Sequence, residues 1–218
     1  GILAALYERE KSGKGQHVDI SMLDCQISLL NYMATMHFLS GEDPYPIGNS
    51  HFVHVPYNTY RCQDGFIVIA VITDNFWQNL KQVVNCAAFD DPALDGQPGR
   101  WADREMINAT LSDVLKDRSC SHWLTLLEAQ RIPCAPVNNF SQALSDPQVR
   151  HRNMVVELGH PNGAKTRGPG NPIKLSRTCE ESFAPAPTLG QNTDEVFSTL
   201  LGYSVGEIDD LRSRGVIA

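Results

Sequence analysis

Apolar and polar positions alternate along this chain in patterns that predict most of its elements. Ile2, Leu3, Leu6 and Tyr7 recur at helical spacing, Glu8 to Lys11 supply a charged end, and Ser12-Gly13 stops the helix. Such a short helix is marginal on its own. His17 to Ser21 alternates as a short strand does. Met22 to Leu39 then reads as one long helix with two apolar faces, Leu23, Ile27, Leu30 and Ala34 on one and Met22, Cys25, Leu29 and Met36 on the other. A helix apolar nearly all round must be covered on both sides, by a second layer or by a partner chain.

The segment Ser40 to Pro56 is rich in Pro, Gly and Asn and marks a candidate domain boundary. A hairpin follows, Tyr57 to Cys62 and Phe66 to Ile72, joined by Gln63-Asp64-Gly65. Thr73 or Asp74 caps a helix over Asn75 to Val84, with Phe76, Trp77, Leu80 and Val83-Val84 as its core face. Two more helices are expected over Asp103 to Lys116 and Ser121 to Ala129, the second capped by Ser121 and broken at Arg131-Ile132-Pro133. Between Cys134 and Arg177 the pattern is one of short strands and loops, with strands over Val155 to Leu158 and Pro172 to Leu175. Helices over Asp194 to Leu201 and Val205 to Arg214 close the chain, after a Pro-rich linker at Phe183 to Pro187. The mixture predicts an α/β protein with an α+β insertion.

Charge and composition narrow the partners. The net charge of −7 and the scatter of Lys and Arg offer no basic face for a phosphate backbone, so no nucleic acid is expected. The most apolar stretch, Phe66 to Ile72, is far too short to span a bilayer, so no membrane is expected either. No charged-then-apolar leader is visible, which points to the cytoplasm or, after import, an organelle matrix. The six cysteines, Cys25, Cys62, Cys86, Cys120, Cys134 and Cys179, stand singly with no C-x-x-C pair, as buried free thiols do.

Candidate chemistry is sparse. Ser12-Gly13-Lys14-Gly15 lacks the spacing of a phosphate loop and follows a helix rather than a strand, so a helix C-cap explains it. None of the seven histidines forms an i, i+4 helical pair, and no metal is expected. His51 and His54, three apart in the Pro/Gly-rich loop, are the polar groups suited to line a site. Asp19, Asp24, Asp64 and Asp74 each have a structural reading as strand end, helix first turn, hairpin turn and helix cap. From residue chemistry alone the catalytic centre is not visible.

The residues GILAALYEREKSGKGQHVDISMLD, GNSHFVHVPYNTYRCQDGFIVIAV, NFWQNL, RIPCAPVNNFSQALSDPQV, GHPNG, GNPIKLS, APAPTLGQNTDEV and RSRGVI, in that order, resemble the family III CoA-transferases, the group of formyl-CoA transferase and the carnitine CoA-transferase. The resemblance covers essentially the whole chain. It implies a subunit with a Rossmann-like large domain made from both chain ends, a smaller α+β domain between them, and an interlocked homodimer. Residues 1–46 and 178–218 then belong to the large domain and 47–177 to the small one.

The resemblance further implies covalent catalysis through an aspartate in a D-x-x-T/S-G stretch ahead of the GILAAL helix, upstream of Gly1, so that no catalytic residue falls in this chain. Acyl-CoA is then a substrate, with no permanently bound cofactor. The family's glycine-rich substrate loop corresponds to Gly48, Asn49, Ser50, His51 and His54. Imidazoles in place of glycines stiffen that loop and suit a second carboxylate, so a dicarboxylic acceptor is expected. Two rival readings stand beside this one. An α-methylacyl-CoA racemase needs a Glu after the hairpin, where this chain has Val71-Ile72-Thr73-Asp74. A non-catalytic remnant that binds CoA or a partner chain needs no nucleophile.

Overall fold

The computed structural model describes residues 1–160, 162–178 and 183–217. The chain packs as two units, Gly1–Pro136 and Val137–Ala218. In the first, helices α1 (Ile2–Ser12), α2 (Met22–Leu29) and α3 (Asn31–Ser40) precede strands β1 (Tyr57–Arg61) and β2 (Phe66–Ala70). Helices α4 (Asp74–Val84), α5 (Gln97–Ala102), α6 (Arg104–Leu115) and α7 (Cys120–Ala129) follow, and β3 (Cys134–Pro136) closes the unit. The three strands form one antiparallel sheet with β2 in the middle.

Strand β2 organises the core. Its alternation places Ile67 and Ile69, with Val71 just beyond, fully buried on one side of the sheet. Helix α4 turns Trp77, Leu80 and Val84 inward, α6 contributes Ile107, Leu111 and Leu115 at i, i+4, i+8, and α7 adds Trp123 and Leu127. These residues form one continuous cluster, each large side chain adding about 1.5–3 kcal/mol of burial. The hairpin turn is pinned from outside, because Asp64 Oδ1 accepts the backbone N–H of Cys120 at 2.7 Å. That bond leads among the effects that hold the Asp64 carboxyl below its ordinary pKa.

Helix α1 ends where the sequence indicates, on Gly13 in the left-handed conformation. Three features of the first unit depart from expectation. The long helix over Met22 to Leu39 is two helices, because Asn31 adopts φ +49°, a left-handed setting that asparagine tolerates. His17 to Ser21 forms no strand, having no neighbouring edge to pair with among the described residues. Ser119, not Ser121, caps α7, accepting the N–H of His122 at 3.2 Å. The cap at Thr73 is as predicted, with Asp74 one residue inside the helix. None of the residues of α1, α2 or α3 is buried, so the apolar side chains of Ile2, Leu3, Met22, Leu23, Ile27 and Leu29 stand exposed.

The second unit holds α8 (Phe140–Ser145), α9 (Pro147–His151), an antiparallel hairpin of β4 (Val155–Gly159) and β5 (Lys165–Pro169), a short turn of helix α10 (Thr193–Glu195) continued by a π-helical turn (Val196–Leu200), and α11 (Val205–Ser213). Helices α8 and α9, read from the sequence as loop, are fixed by caps. Asn139 and Gln142 form a reciprocal capping box, and Asp146 accepts the N–H groups of Gln148 and Val149 ahead of Pro147. The strand expected at Pro172 to Leu175 is absent. Its place beside β4 is taken by Lys165–Pro169, because the bond from His160 N–H to Ala164 O, at 2.8 Å, turns the chain back early. Ser204 and Glu207 box the start of α11, and Arg212 pairs with Asp194 across the closing elements. The five described cysteines are free thiols, as expected, but only Cys62 is buried, Cys86, Cys120 and Cys134 being half-buried and Cys25 exposed. Cys179 lies outside the described residues.

Candidate functional site

The loop between α3 and β1 is built by local chemistry. Ser50 N–H closes a turn on Ile47 O at 3.2 Å, with Gly48 at φ +63°, a conformation that a side chain disfavours. Asn49 is exposed at the corner of this turn. Ser50 Oγ then accepts from Asn58 Nδ2 of β1 at 2.9 Å, and His51 N–H donates to Tyr57 O at 3.2 Å. Both bonds fold the loop back onto the strand that follows it.

His51 is the centre of the loop. Its Nδ1 accepts two backbone hydrogens, from Val53 at 3.0 Å and from His54 at 3.1 Å. An acceptor Nδ1 means a neutral ring with its proton on Nε2. The ring is stacked between Phe52, 4.5 Å away, and Tyr57, 5.1 Å away, with the His54 ring at 4.8 Å. Burial, and then the neighbouring His54, lower its pKa from 6.5. His54 Nδ1 is itself buried and has no hydrogen-bond partner among the described residues.

A second set of residues anchors this loop from α5. Gln97 Nε2 donates to Val53 O. Arg100, fully buried, donates Nε–H to Val55 O at 3.0 Å and Nη1–H to Leu94 O and Asp95 O at 3.0 and 2.9 Å. Its Nη2 reaches Gln97 Oε1 at 2.9 Å and the Asp74 carboxylate at 2.6 Å. One guanidinium thus satisfies three otherwise orphaned carbonyls. The helix can approach them only because residue 99 is glycine, since a Cβ there would meet Ala93 O at 1.8 Å.

Together these elements enclose a cavity of about 220 Å³. Ser50, His51 and His54 line it from the loop, and Trp101, Arg104 and Asn108 from α5 and α6. Glu105 stands on its wall as well. Of the loop residues singled out in the sequence, Ser50, His51 and His54 come together here, while Gly48 and Asn49 shape the turn without lining the cavity. Arg104 and Asn108 were not anticipated. The signal was present as an i, i+4 pair at the start of a predicted helix, but nothing in the sequence joined that helix to the histidine loop.

The lining combines neutral and charged donors with one carboxylate, that of Glu105. It offers a hydroxyl, an imidazole Nε2–H, a carboxamide and one guanidinium. Among the described residues no group of His, Cys, Asp and Glu could hold a metal ion, and no helix is long and apolar enough to cross a membrane.

Comparison with known proteins gives this geometry a family. The succinyl-CoA:glutarate CoA-transferase of Homo sapiens is 28% identical over 217 residues, covering 99% of this chain and 50% of that protein. The succinyl-CoA:mesaconate CoA-transferase of Haloarcula marismortui is 34% identical over 202 residues, covering 90% of this chain and 49% of that protein. A solved structure, a CAIB/BAIF family protein from Brucella suis, superposes with a TM-score of 0.76 at 28% identity, over 91% of this chain and 52% of that one. The chain therefore spans about half the length of the curated relatives it matches. The model of the family described as CoA-transferase family III matches residues 1–193, and the chain belongs to that family.

Proposed function

We propose that this chain contributes the substrate loop of an enzyme that transfers CoA from an acyl-CoA to a carboxylic acid, with a dicarboxylic acid as acceptor. The observation that carries the reading is the fixed tautomer of His51. Two backbone N–H groups occupy Nδ1, which leaves Nε2–H as a donor beside a cavity that also holds Arg104. A neutral donor next to a guanidinium suits a carboxylate, and the relatives named above act on glutarate and mesaconate with succinyl-CoA.

In this proposal the nucleophile is an aspartate upstream of Gly1. Its carboxylate attacks the donor thioester, forming a mixed anhydride and releasing CoA thiolate. The thiolate then attacks the aspartyl carbonyl of the anhydride, expels the donor acid and leaves an aspartyl-CoA thioester. The acceptor carboxylate attacks this thioester and forms a second anhydride, again with CoA thiolate released. Attack of that thiolate on the acceptor acyl carbon frees the aspartate and gives the new acyl-CoA. The groups of this chain act on the acceptor, holding it so that attack is intramolecular in effect. CoA is substrate throughout, and no resident cofactor enters the scheme.

Residues 1–46 and 178–218 are assigned by the same proposal to a large Rossmann-like domain, and 47–177 to a small one, in an interlocked homodimer. The bare apolar side chains of α1 to α3 support this, since such surface calls for a cover. The racemase alternative has no support from the stretch after the hairpin. Asp74, its one acid, is ion-paired with Arg100 at 2.6 Å. The test is an acceptor series on a subunit that carries this chain behind an aspartate-bearing N-terminal half. Dicarboxylates should turn over better than formate, and His51→Ala should raise the acceptor KM; an unchanged KM would remove the role of His51.

A further inference from the structure

Arg104 is the least committed of the cations near the loop. Its Nη1 donates to Trp101 O at 3.1 Å and its guanidinium lies over the Trp101 ring at 4.9 Å. No carboxylate pairs with it among the described residues, whereas Arg100 and Lys81 nearby are both ion-paired. It is the first residue of α6, where the unsatisfied N–H groups of the helix already favour an anion over a cation. A cation placed there, half-buried and facing a cavity, costs stability unless an anion joins it.

The side chain's base is held rigidly. Tyr60 Oη–H donates to Asn108 Oδ1 at 2.5 Å, and Asn108 Nδ2 donates to Arg104 O at 2.8 Å. A buried tyrosine of β1 thereby fixes the turn of helix from which Arg104 extends. The cavity holds the liquid volume of about seven water molecules, the scale of a short-chain acid. Glu105 opposes a simple pool of positive charge, so recognition must rest on the directed fork of the guanidinium.

We infer that Arg104 binds the distal carboxylate of the acceptor, the one that does not receive CoA, and so selects dicarboxylic over monocarboxylic acids. This rests on the CoA-transfer reading for its meaning, but it is a statement about binding and is tested without CoA. The probes are glutarate and butyrate, titrated into the ¹⁵N-labelled chain while the imidazole and backbone signals of His51 and His54 are followed. Glutarate should shift those signals saturably and butyrate should bind about ten- to hundred-fold more weakly, the range for loss of one charge-assisted pair. Arg104→Gln should bring glutarate down to the level of butyrate, with the rest of the spectrum unchanged. Glu105→Gln should tighten glutarate binding by removing the opposing charge.

Equal binding of glutarate by wild type and Arg104→Gln would overturn the inference, as would equal loss of both acids or no binding of glutarate to the wild type. Labelled-carboxylate exchange into acyl-CoA separates the two readings. Exchange that persists while Arg104→Gln binds glutarate normally removes only the role of Arg104. Binding through Arg104 without exchange in a complete subunit removes the transfer reading and keeps the carboxylate site.

Discussion

His51 Nδ1 lies 3.1 Å from the backbone nitrogen of His54 and accepts its hydrogen. The same atom accepts from Val53, so both bonds require His51 to be neutral. Protonation would put a hydrogen on the atom that two donors already approach. Independently of these bonds, desolvation and then the nearby His54 lower the His51 pKa below its ordinary 6.5.

The sign of the pH effect follows from this shift. With the folded pKa below the unfolded one, the unfolded chain binds more protons as pH drops past 6.5. Stability is therefore at its full value above that pH and is lost as pH falls from there through the lowered native pKa. An NMR titration of the His51 ring should give a midpoint below 6.5, and the urea midpoint should fall on acidification across that window. A ring midpoint above 6.5 would contradict the hydrogen-bond assignment.

Arg100 ties the loop to α5. Arg100→Met leaves the carbonyls of Val55, Leu94 and Asp95 without their donor inside the first unit. The expected loss is about 3 kcal/mol, nearly all from those carbonyls, because Asp74 is well exposed and can be rehydrated. Urea unfolding measures it, and Asp74→Asn should cost far less than Arg100→Met. Equal losses would place the energy in the ion pair instead.

Gly48 is held at φ +63° with open space where a Cβ would go. The effect of substitution is therefore a backbone effect alone. Gly48→Val should destabilise by about 1–2 kcal/mol, and Gly48→Asn by clearly less, since asparagine tolerates the left-handed region. Equal melting shifts for the two variants would mean that the loop changes conformation.

Cysteine reactivity should divide by site. Burial, reinforced by the hydrogen bond with Asp64, pushes the Cys120 thiol up to about 12, and burial raises Cys62 as well. Cys25 is exposed. At pH 8, alkylation followed by mass spectrometry should modify Cys25 rapidly and Cys62 and Cys120 only after unfolding. Rapid labelling of Cys120 in the folded chain would show that the hairpin turn opens away from α7.

How much of this was legible in the sequence depends on the range of the forces involved. Strand β2 could be read from the apolar run Phe66 to Ile72, but its buried face could not, because the run is apolar on both sides. The α4 core face could be read from the helical spacing of Trp77, Leu80 and Val84. Thr73 could be read as a cap because its partner is three residues away. The boxed starts of α8 and α11 are equally local, and the Asn139–Gln142 signal was there to find. Strand β5 was not, because Lys165–Pro169 carries no apolar alternation and is a strand only through its pairing with β4.

The site divides in the same way. His51 and His54 stood out as imidazoles in a Gly/Pro loop, but their roles within it come from distances. Arg100 lies in a Gly/Pro-containing segment to which the sequence pattern assigns no element, and its burial depends on carbonyls as far away as Val55. Arg104 and Asn108 meet the histidines only through the packing of α6 on β1. Nothing in the periodicity of either element specifies that meeting.

The most direct measurement is the exchange of labelled succinate into succinyl-CoA, by the 218-residue chain alone and by a subunit carrying it behind an aspartate-bearing N-terminal half. The account predicts no exchange by the chain alone and exchange by the longer subunit, lost when that aspartate becomes asparagine. Exchange by the chain alone would place the nucleophile among its own residues, and silence from the longer subunit would contradict CoA transfer altogether.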